Sequence, residues 1–492
     1  MNTAEMLLAA PELLVLLMAC VIMCVDLFLR EERRGILHML GMLTLVFAAI
    51  ITLRLETGVS HEASLFAFND MFVRDTMGDV LKLFAFGTLA LVFIYAKHFL
   101  RSYRLFRADF YTLSLFALLG VMLLISANSL VMVYLGLELT SLASYALVAF
   151  NRESGRGSEA AMKYFVLGSM ASGLLLYGMS LVYGATGTLA LPAIAEAVTL
   201  NGTDDVLLVL GLVFLVVGIA FKLGAVPFHM WVPDVYDGAP LAATLFISTV
   251  PKLAAFAMAY RLLVSGLGMA YRLLVSGLGP MHADWQQMLA VLAVLSMAVG
   301  NLAAIAQTNV RRMLAYSTIS HMGFVLLGLL PGTASGYGAA LYYVIVYALM
   351  SAAAFGMLIL LSGQGRPVGE LDDFRGLNQH NGWYAAVMAM VMFSMAGVPV
   401  FVGFFAKWLV IKAALDAGLV GLAVLAVLFS VVGAFYYLRI VKLMYFDEAE
   451  QETVWRGPVD FGAALSLNGL LMLALGVFSG GLIALCMASF GA

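Results

Sequence analysis

Charge is what this sequence has least of. Asp, Glu, Lys and Arg make up 11% of its 492 residues, against roughly 25% in soluble globular domains, which excludes an ordinary water-soluble protein. Cysteine is scarcer still. Cys20, Cys24 and Cys486 all lie in apolar stretches, without Cys-x-x-Cys or Cys/His clustering, so neither a disulfide framework nor a zinc or iron–sulfur site is expected. No basic run exceeds two residues and the net charge is −3, which leaves no footprint for nucleic acid. The N-terminus lacks the basic region and small-residue cleavage pattern of a signal peptide, so the first apolar segment reads as a retained span. Strand-like alternation is missing too, and with it a membrane barrel.

What is abundant is apolar length. Hydrophobic residues make up 63% of the chain, enough for a dozen or more spans of ~20 residues. Apolar segments fall near 6–29, 36–53, 78–96, 109–126, 128–150, 158–184, 206–226, 240–263, 285–307, 313–330, 337–362, 382–412, 415–446 and 461–489. The expected fold is therefore all-α, a polytopic membrane protein of about 14 transmembrane helices. Lys and Arg give an independent check through the positive-inside rule. Alternate connections on one side hold 16 of them: Arg30, Arg33, Arg34, Lys97, Arg101, Arg104, Arg107, Arg152, Arg156, Arg311, Arg312, Arg366, Arg375, Arg439, Lys442 and Arg456. The other side holds five, Arg54, Arg74, Arg261, Arg272 and Lys412. This asymmetry puts both termini outside the cytoplasm.

Five basic residues fit no connection, and all are lysines: Lys82, Lys163, Lys222, Lys252 and Lys407. Arginine stays charged, whereas lysine in a low-dielectric site can exchange a proton near neutral pH. Lys82 lies about one turn from the outer end of its span and is expected to snorkel. Lys163, roughly 8 Å deep, suits an anchor as well as a carrier. Lys252 is roughly 18 Å deep. Glu138, in LGLELTSL, reads as the one acidic residue well inside a span, either protonated and structural or the partner that keeps a lysine charged. His321, in TISHMGF, is a packing residue or a relay. Lys222 (GIAFKLGAVP) and Lys407 (GVPVFVGFFAK) stand beside Gly and Pro, and broken helices inside a membrane are tolerated only where they line protein or a cavity.

Faint self-similarity appears at an offset near 180: AAMKY at 160–164 echoes AALYY at 339–343, and Asn128 and Met132 echo Asn309 and Met313. Lys222 and Lys407 stand 185 apart. Two five-span units follow, 109–263 and 285–446, preceded by three N-terminal spans (1–108), separated by an outer loop (264–284) and followed by a loop and last span (447–492). Because five is odd, the second unit is inverted, with a half-channel facing each side. Separately, MAYRLLVSGLG occurs twice in tandem, at 258–268 and 269–279.

The stretches LGLELTSL, FKLGAVPFHMWVPDVYDGAP (221–240), TNVRRMLAYSTISHMG (308–323) and SMAGVPVFVGFFAKW (394–408) resemble the antiporter-like subunits of the proton-translocating NADH–quinone oxidoreductase, respiratory complex I, shared with multisubunit cation/proton antiporters. Lysine at 407, where one branch of that family is expected to carry glutamate, and an end soon after the last span, where another is expected to continue into a long lateral helix, point to the third branch. The resemblance implies a subunit of the bacterial inner membrane without redox cofactors of its own. Flavin, iron–sulfur clusters and quinone belong to partner subunits, and the neighbours are other membrane subunits, antiporter-like ones included. It implies roles for Glu138 as modulating acid, Lys222 as first proton carrier, Lys252 as connector and Lys407 as carrier toward the other side, with His321 and Lys163 as auxiliaries. The alternatives are a subunit of a multisubunit cation/proton antiporter, an autonomous antiporter and a membrane scaffold. The last leaves the five lysines unexplained.

Overall fold

The computed structural model describes residues 3–56, 65–203, 205–264, 278, 281–362, 368–448 and 458–491. The second copy of the tandem repeat, apart from Leu278, and Arg272, Arg366 and Arg456 lie outside the described residues. In chain order come α1 (Thr3–Leu8), α2 (Ala10–Asp26), α3 (Gly35–Glu56), an antiparallel hairpin of β1 (Leu65–Ala67) and β2 (Phe72–Arg74), and α4 (Thr76–Ser102). Then follow α5 (Ala108–Ile125), α6 (Leu130–Val148), α7 (Gly155–Thr186), α8 (Leu191–Asn201), α9 (Val206–Leu223), α10 (Trp231–Gly238), α11 (Leu241–Ile247) and α12 (Val250–Leu263). The remainder is α13 (His282–Ile305), α14 (Val310–Leu329), α15 (Ala334–Leu361), α16 (Leu377–His380), α17 (Gly382–Ala396), α18 (Val402–Asp416), α19 (Val420–Phe446), α20 (Val459–Val477) and α21 (Gly480–Ala488).

Among the described residues, eleven helical spans are long and apolar enough to cross a membrane. The expected segments 6–29, 313–330 and 382–412 are helical too, but through α2, α14 and the pair α17 and α18, which are shorter or more polar. The fold is all-α apart from the small hairpin.

The breaks follow from local chemistry. Helix α9 stops because Gly224 takes φ +78°, a left-handed conformation open to glycine at little cost. Gly397 does the same after α17 with φ +87°. In both, the amide after the glycine bonds back five residues, Ala225 to the Ala220 carbonyl at 2.8 Å and Val398 to the Phe393 carbonyl at 3.0 Å. A third break was not expected. The segment 240–263 is interrupted at Ser248 and Thr249, so that Lys252 stands in the first turn of α12. Pro251 is the signal that announces it, since proline has no amide to continue a helix and is favoured in a first turn. The last segment is likewise divided, between α20 and α21.

Residues 180 apart make the same backbone bonds. The Leu130 amide donates to the Leu189 carbonyl at 2.9 Å and the Leu191 amide to the Asn128 carbonyl at 3.1 Å. Val310 to Gly369 at 2.7 Å and Leu371 to Thr308 at 2.9 Å repeat this pattern. The helix pairs α5/α6 and α13/α14 approach closely through glycine: a Cβ on Gly120 (α5) would lie 2.5 Å from the Thr140 nitrogen (α6), and one on Gly300 (α13) 2.7 Å from the Ser320 nitrogen (α14). Small residues permit such contact where lipid provides no hydrophobic drive between helices. Every residue of the span Leu241–Leu263 is buried, as is Ala334–Leu361 from Gly338 onward, so Lys252 lies deep inside the bundle.

Gly120→Ala is expected to cost about 1–3 kcal/mol, the usual penalty of overpacking, whereas Gly87→Ala, which meets nothing within 4 Å, should change stability by less than about 0.5 kcal/mol. Detergent unfolding of the two variants checks this.

Candidate functional site

The intramembrane polar groups sit on the broken helices and their neighbours. Lys222, in the last turn of α9, is buried and donates from Nζ to Ser141 Oγ of α6 at 3.0 Å. Glu138 lies one turn before Ser141 on α6 and is half-buried. Among the described residues no ion pair joins Glu138 to Lys222, and Glu138 Oε1 has no hydrogen-bond partner. The direct contact of the Lys222 ammonium is the serine, one turn from Glu138. A small cavity beside Lys222, lined by Ser141, Tyr145, Tyr164, Ser172 and Trp231, is of the size that holds one water.

Lys252 shares the end of α9 with Lys222. Its Nζ donates to the Leu223 carbonyl at 2.8 Å and lies 5.3 Å over the Trp231 ring. Trp231 donates from Nε1 to the Phe221 carbonyl at 3.1 Å. Lys407, on α18, donates to the Ala396 carbonyl at the end of α17 at 2.9 Å and to Ser430 Oγ at 3.0 Å, with the Phe324 ring 5.4 Å away. The breaks after α9 and α17 therefore each end in a carbonyl met by a lysine from another helix, where the negative end of the helix dipole favours a cation. By position relative to Gly224 and Gly397, Met395 and not Lys407 stands opposite Lys222. Lys407 matches Lys252 in what it touches.

His321 is buried in a hydroxyl cage. Tyr343 OH is 2.8 Å from Nδ1 and Tyr437 OH 3.0 Å from Nε2. Ser317 bonds Tyr437, and Tyr347 donates to Thr318 Oγ1 at 2.8 Å. Tyr343 also stacks on Phe324, the ring beneath Lys407, so the cage adjoins the Lys407 site. Lys163 stands apart: its side chain is 45% exposed and pairs with Glu159 and Asp234, each at 2.9 Å.

A buried charge cluster was missed. Lys82 does not snorkel; it is 2% exposed, 2.6 Å from Glu12 of α2 and over the Phe72 ring. Nor are Arg74 and Arg261 surface decoration. Arg74 bonds Asp79 through Nε and Nη2 and the Thr52 carbonyl, and Arg261 bonds Asp75 at 2.6 and 2.8 Å and the Ile125 carbonyl. For Asp75, burial opposes ionisation, but Arg261 outweighs it and holds the carboxyl below its usual range. Glu12 follows Pro11 near the chain start and reads as a helix-start residue, and Asp75 as an N-cap. Only the packing of α2, α4 and α12 reveals that these charges are joined. Among the described residues, no three His, Cys, Asp or Glu side chains converge as a metal site would.

A bundle of apolar helices, two of them broken within their spans and ended by a lysine contact, is the architecture of membrane transporters. The family described as NADH:quinone oxidoreductase/Mrp antiporter, TM, matches residues 127–433. NADH-quinone oxidoreductase subunit N of Thioalkalivibrio sulfidiphilus is 53% identical over 476 residues, 96% of each chain. A chain of respiratory complex I from Thermus thermophilus, solved with bound aureothin, is 32% identical and superposes with a TM-score of 0.80, covering 96% of this chain and 98% of that one. A chain of the Mrp complex from a Dietzia species has the same fold, with a TM-score of 0.85 at 20% identity over 100% of this chain and 97% of that one. This chain belongs to that antiporter-like family, in its NADH-quinone oxidoreductase subunit N branch, the third branch to which Lys407 pointed.

Lys82→Met alone leaves a buried carboxylate unpaired and is expected to cost about 3–5 kcal/mol. Adding Glu12→Leu should recover most of the loss, because a packed apolar pair can replace a buried ion pair. Unfolding curves of the single and double variants measure both.

Proposed function

We propose that this chain is the proton-translocating membrane subunit of a bacterial NADH–quinone oxidoreductase, moving protons along Glu138, Lys222, Lys252, His321 and Lys407 while quinone is reduced in other subunits. The observation that carries this reading is the pair of lysines, Lys252 and Lys407, docked on the carbonyl ends of two broken helices. A lysine held there is hydrogen-bonded when charged and sits in surroundings where its proton can be given up. The 53% identity to a subunit N over nearly the whole chain favours the oxidoreductase over the antiporter assembly, whose Dietzia chain is 20% identical.

Charge moves by exchange in this reading. Glu138 stabilises the charged form of Lys222 through space, one turn from the serine that holds the ammonium. Lys222 and Lys252, adjacent at the end of α9, disfavour each other's charge, so a proton arriving on one drives another onward. The hydroxyl cage lets His321 pass a proton between Tyr343 and Tyr437 on the way to Lys407. Lys163, exposed and paired on the arginine-rich face, is not part of this line.

The units 109–263 and 285–446, the second inverted, are supported by the backbone bonds shared at an offset of 180. The arginine asymmetry supports an inner-membrane orientation with both termini outside. Redox cofactors are assigned to partner subunits, because the chemistry in this chain is that of titratable lysines and hydroxyls.

Glu138→Gln and Lys222→Ala, each in the assembled complex, are expected to lower proton pumping and coupled quinone reduction by about a hundredfold, the low end of what a positioned proton-transfer group contributes. Full pumping in either variant at normal assembly would contradict the assignment.

A further inference from the structure

Helix α10 has only eight residues, yet it touches both the lysine pair and the seam between the two five-span units. At one end, Trp231 stacks on Tyr164 of α7 at 4.6 Å, donates to the Phe221 carbonyl beside Lys222, and lies under the Lys252 ammonium. One turn along, Asp234 accepts from Lys163 of α7 at 2.9 Å and from Arg312 of α14 at 2.8 Å. Asp237 accepts from Asn309 at 3.1 Å, and its carbonyl from Arg311 at 3.3 Å.

We propose that α10 is a lever and that Asp234 is a positioning residue: clamped between Lys163 of the first unit and Arg312 of the second, it sets Trp231 against Lys252 and the end of α9. The inference rests on the lysine pathway proposed above. Positions 231 and 234 lie on the same face of a single turn, so a displacement of the carboxylate moves the indole with it. Ion pairs this exposed contribute little to stability, so the clamp's effect is on geometry. Lys163 has a second acceptor in Glu159 at 2.9 Å and can leave Asp234 without being stranded. Asp234 then keeps only Arg312, and α10 follows the second unit. The arrangement gives the arginine-rich face a mechanical line to the proton carriers.

The test uses the assembled complex in proteoliposomes. Asp234→Asn, which keeps the shape but not the charge, is expected to assemble normally and to lose about tenfold in coupled proton transfer, as small misplacements of reacting groups do. Asp234→Glu should retain at least about half of wild-type transfer, and Asp234→Asn with Trp231→Phe should lose no more than the worse single variant, because coupled residues are not additive. Wild-type transfer in Asp234→Asn, equal failure of Asp234→Glu, or multiplied losses in the double variant would each overturn the lever. Lys222→Ala is measured alongside: if it lowers transfer while Asp234→Asn does not, the lever falls and the pathway stands. If neither lowers it, both fall.

Discussion

A helix that ends inside hydrocarbon leaves carbonyl oxygens without water to receive, at several kcal/mol each if nothing else donates to them. Helices α9 and α17 both end this way, and the site is organised around that constraint. Glycine at 224 and 397 turns the chain and lets the next amides satisfy some of the carbonyls. The last carbonyl of each helix is met by a lysine from elsewhere, Lys252 at Leu223 and Lys407 at Ala396. Structural need and chemistry coincide there, because the donor that completes the helix end is also a group able to exchange a proton.

The remaining charges are distributed around that line. Arg74, Asp75, Asp79, Lys82, Glu12 and Arg261 form a balanced, buried set that ties α2 and α4 to the far end of α12. Along α12, the residues from Leu253 to Ala259 are apolar, so this set is insulated from Lys252 at the helix start. On the arginine-rich face, a wider cavity of about 490 Å³ opens between Arg156, Asp237, Asn309, Arg311 and Glu370, beside the residues that hold α10. The proposed path thus draws on elements from both halves of the chain.

Much of this was legible in the residues. The apolar segments, the Gly/Pro breaks beside Lys222 and Lys407, and the faint echo near 180 all depend on local sequence, and each has a counterpart in the helices and their bonds. Pairings between distant helices were not legible. Glu12 meets Lys82 across 70 residues, and nothing local distinguishes that lysine from one that snorkels. Lys222 and Lys407 both flank a break, but one precedes its glycine and the other follows, a difference that residue spacing alone does not interpret. Pro251 did carry a local signal for the third break, masked by the apolar run around it.

The central claim is that the lysines at the two helix ends function by losing a proton, not merely by donating to carbonyls. Arginine separates the two, since it keeps the charge and the donors but does not deprotonate. The direct measurement is the number of protons moved per quinone reduced by the reconstituted complex carrying Lys407→Arg. A clear fall at normal assembly is the predicted result, and an unchanged ratio with unchanged turnover would contradict the account.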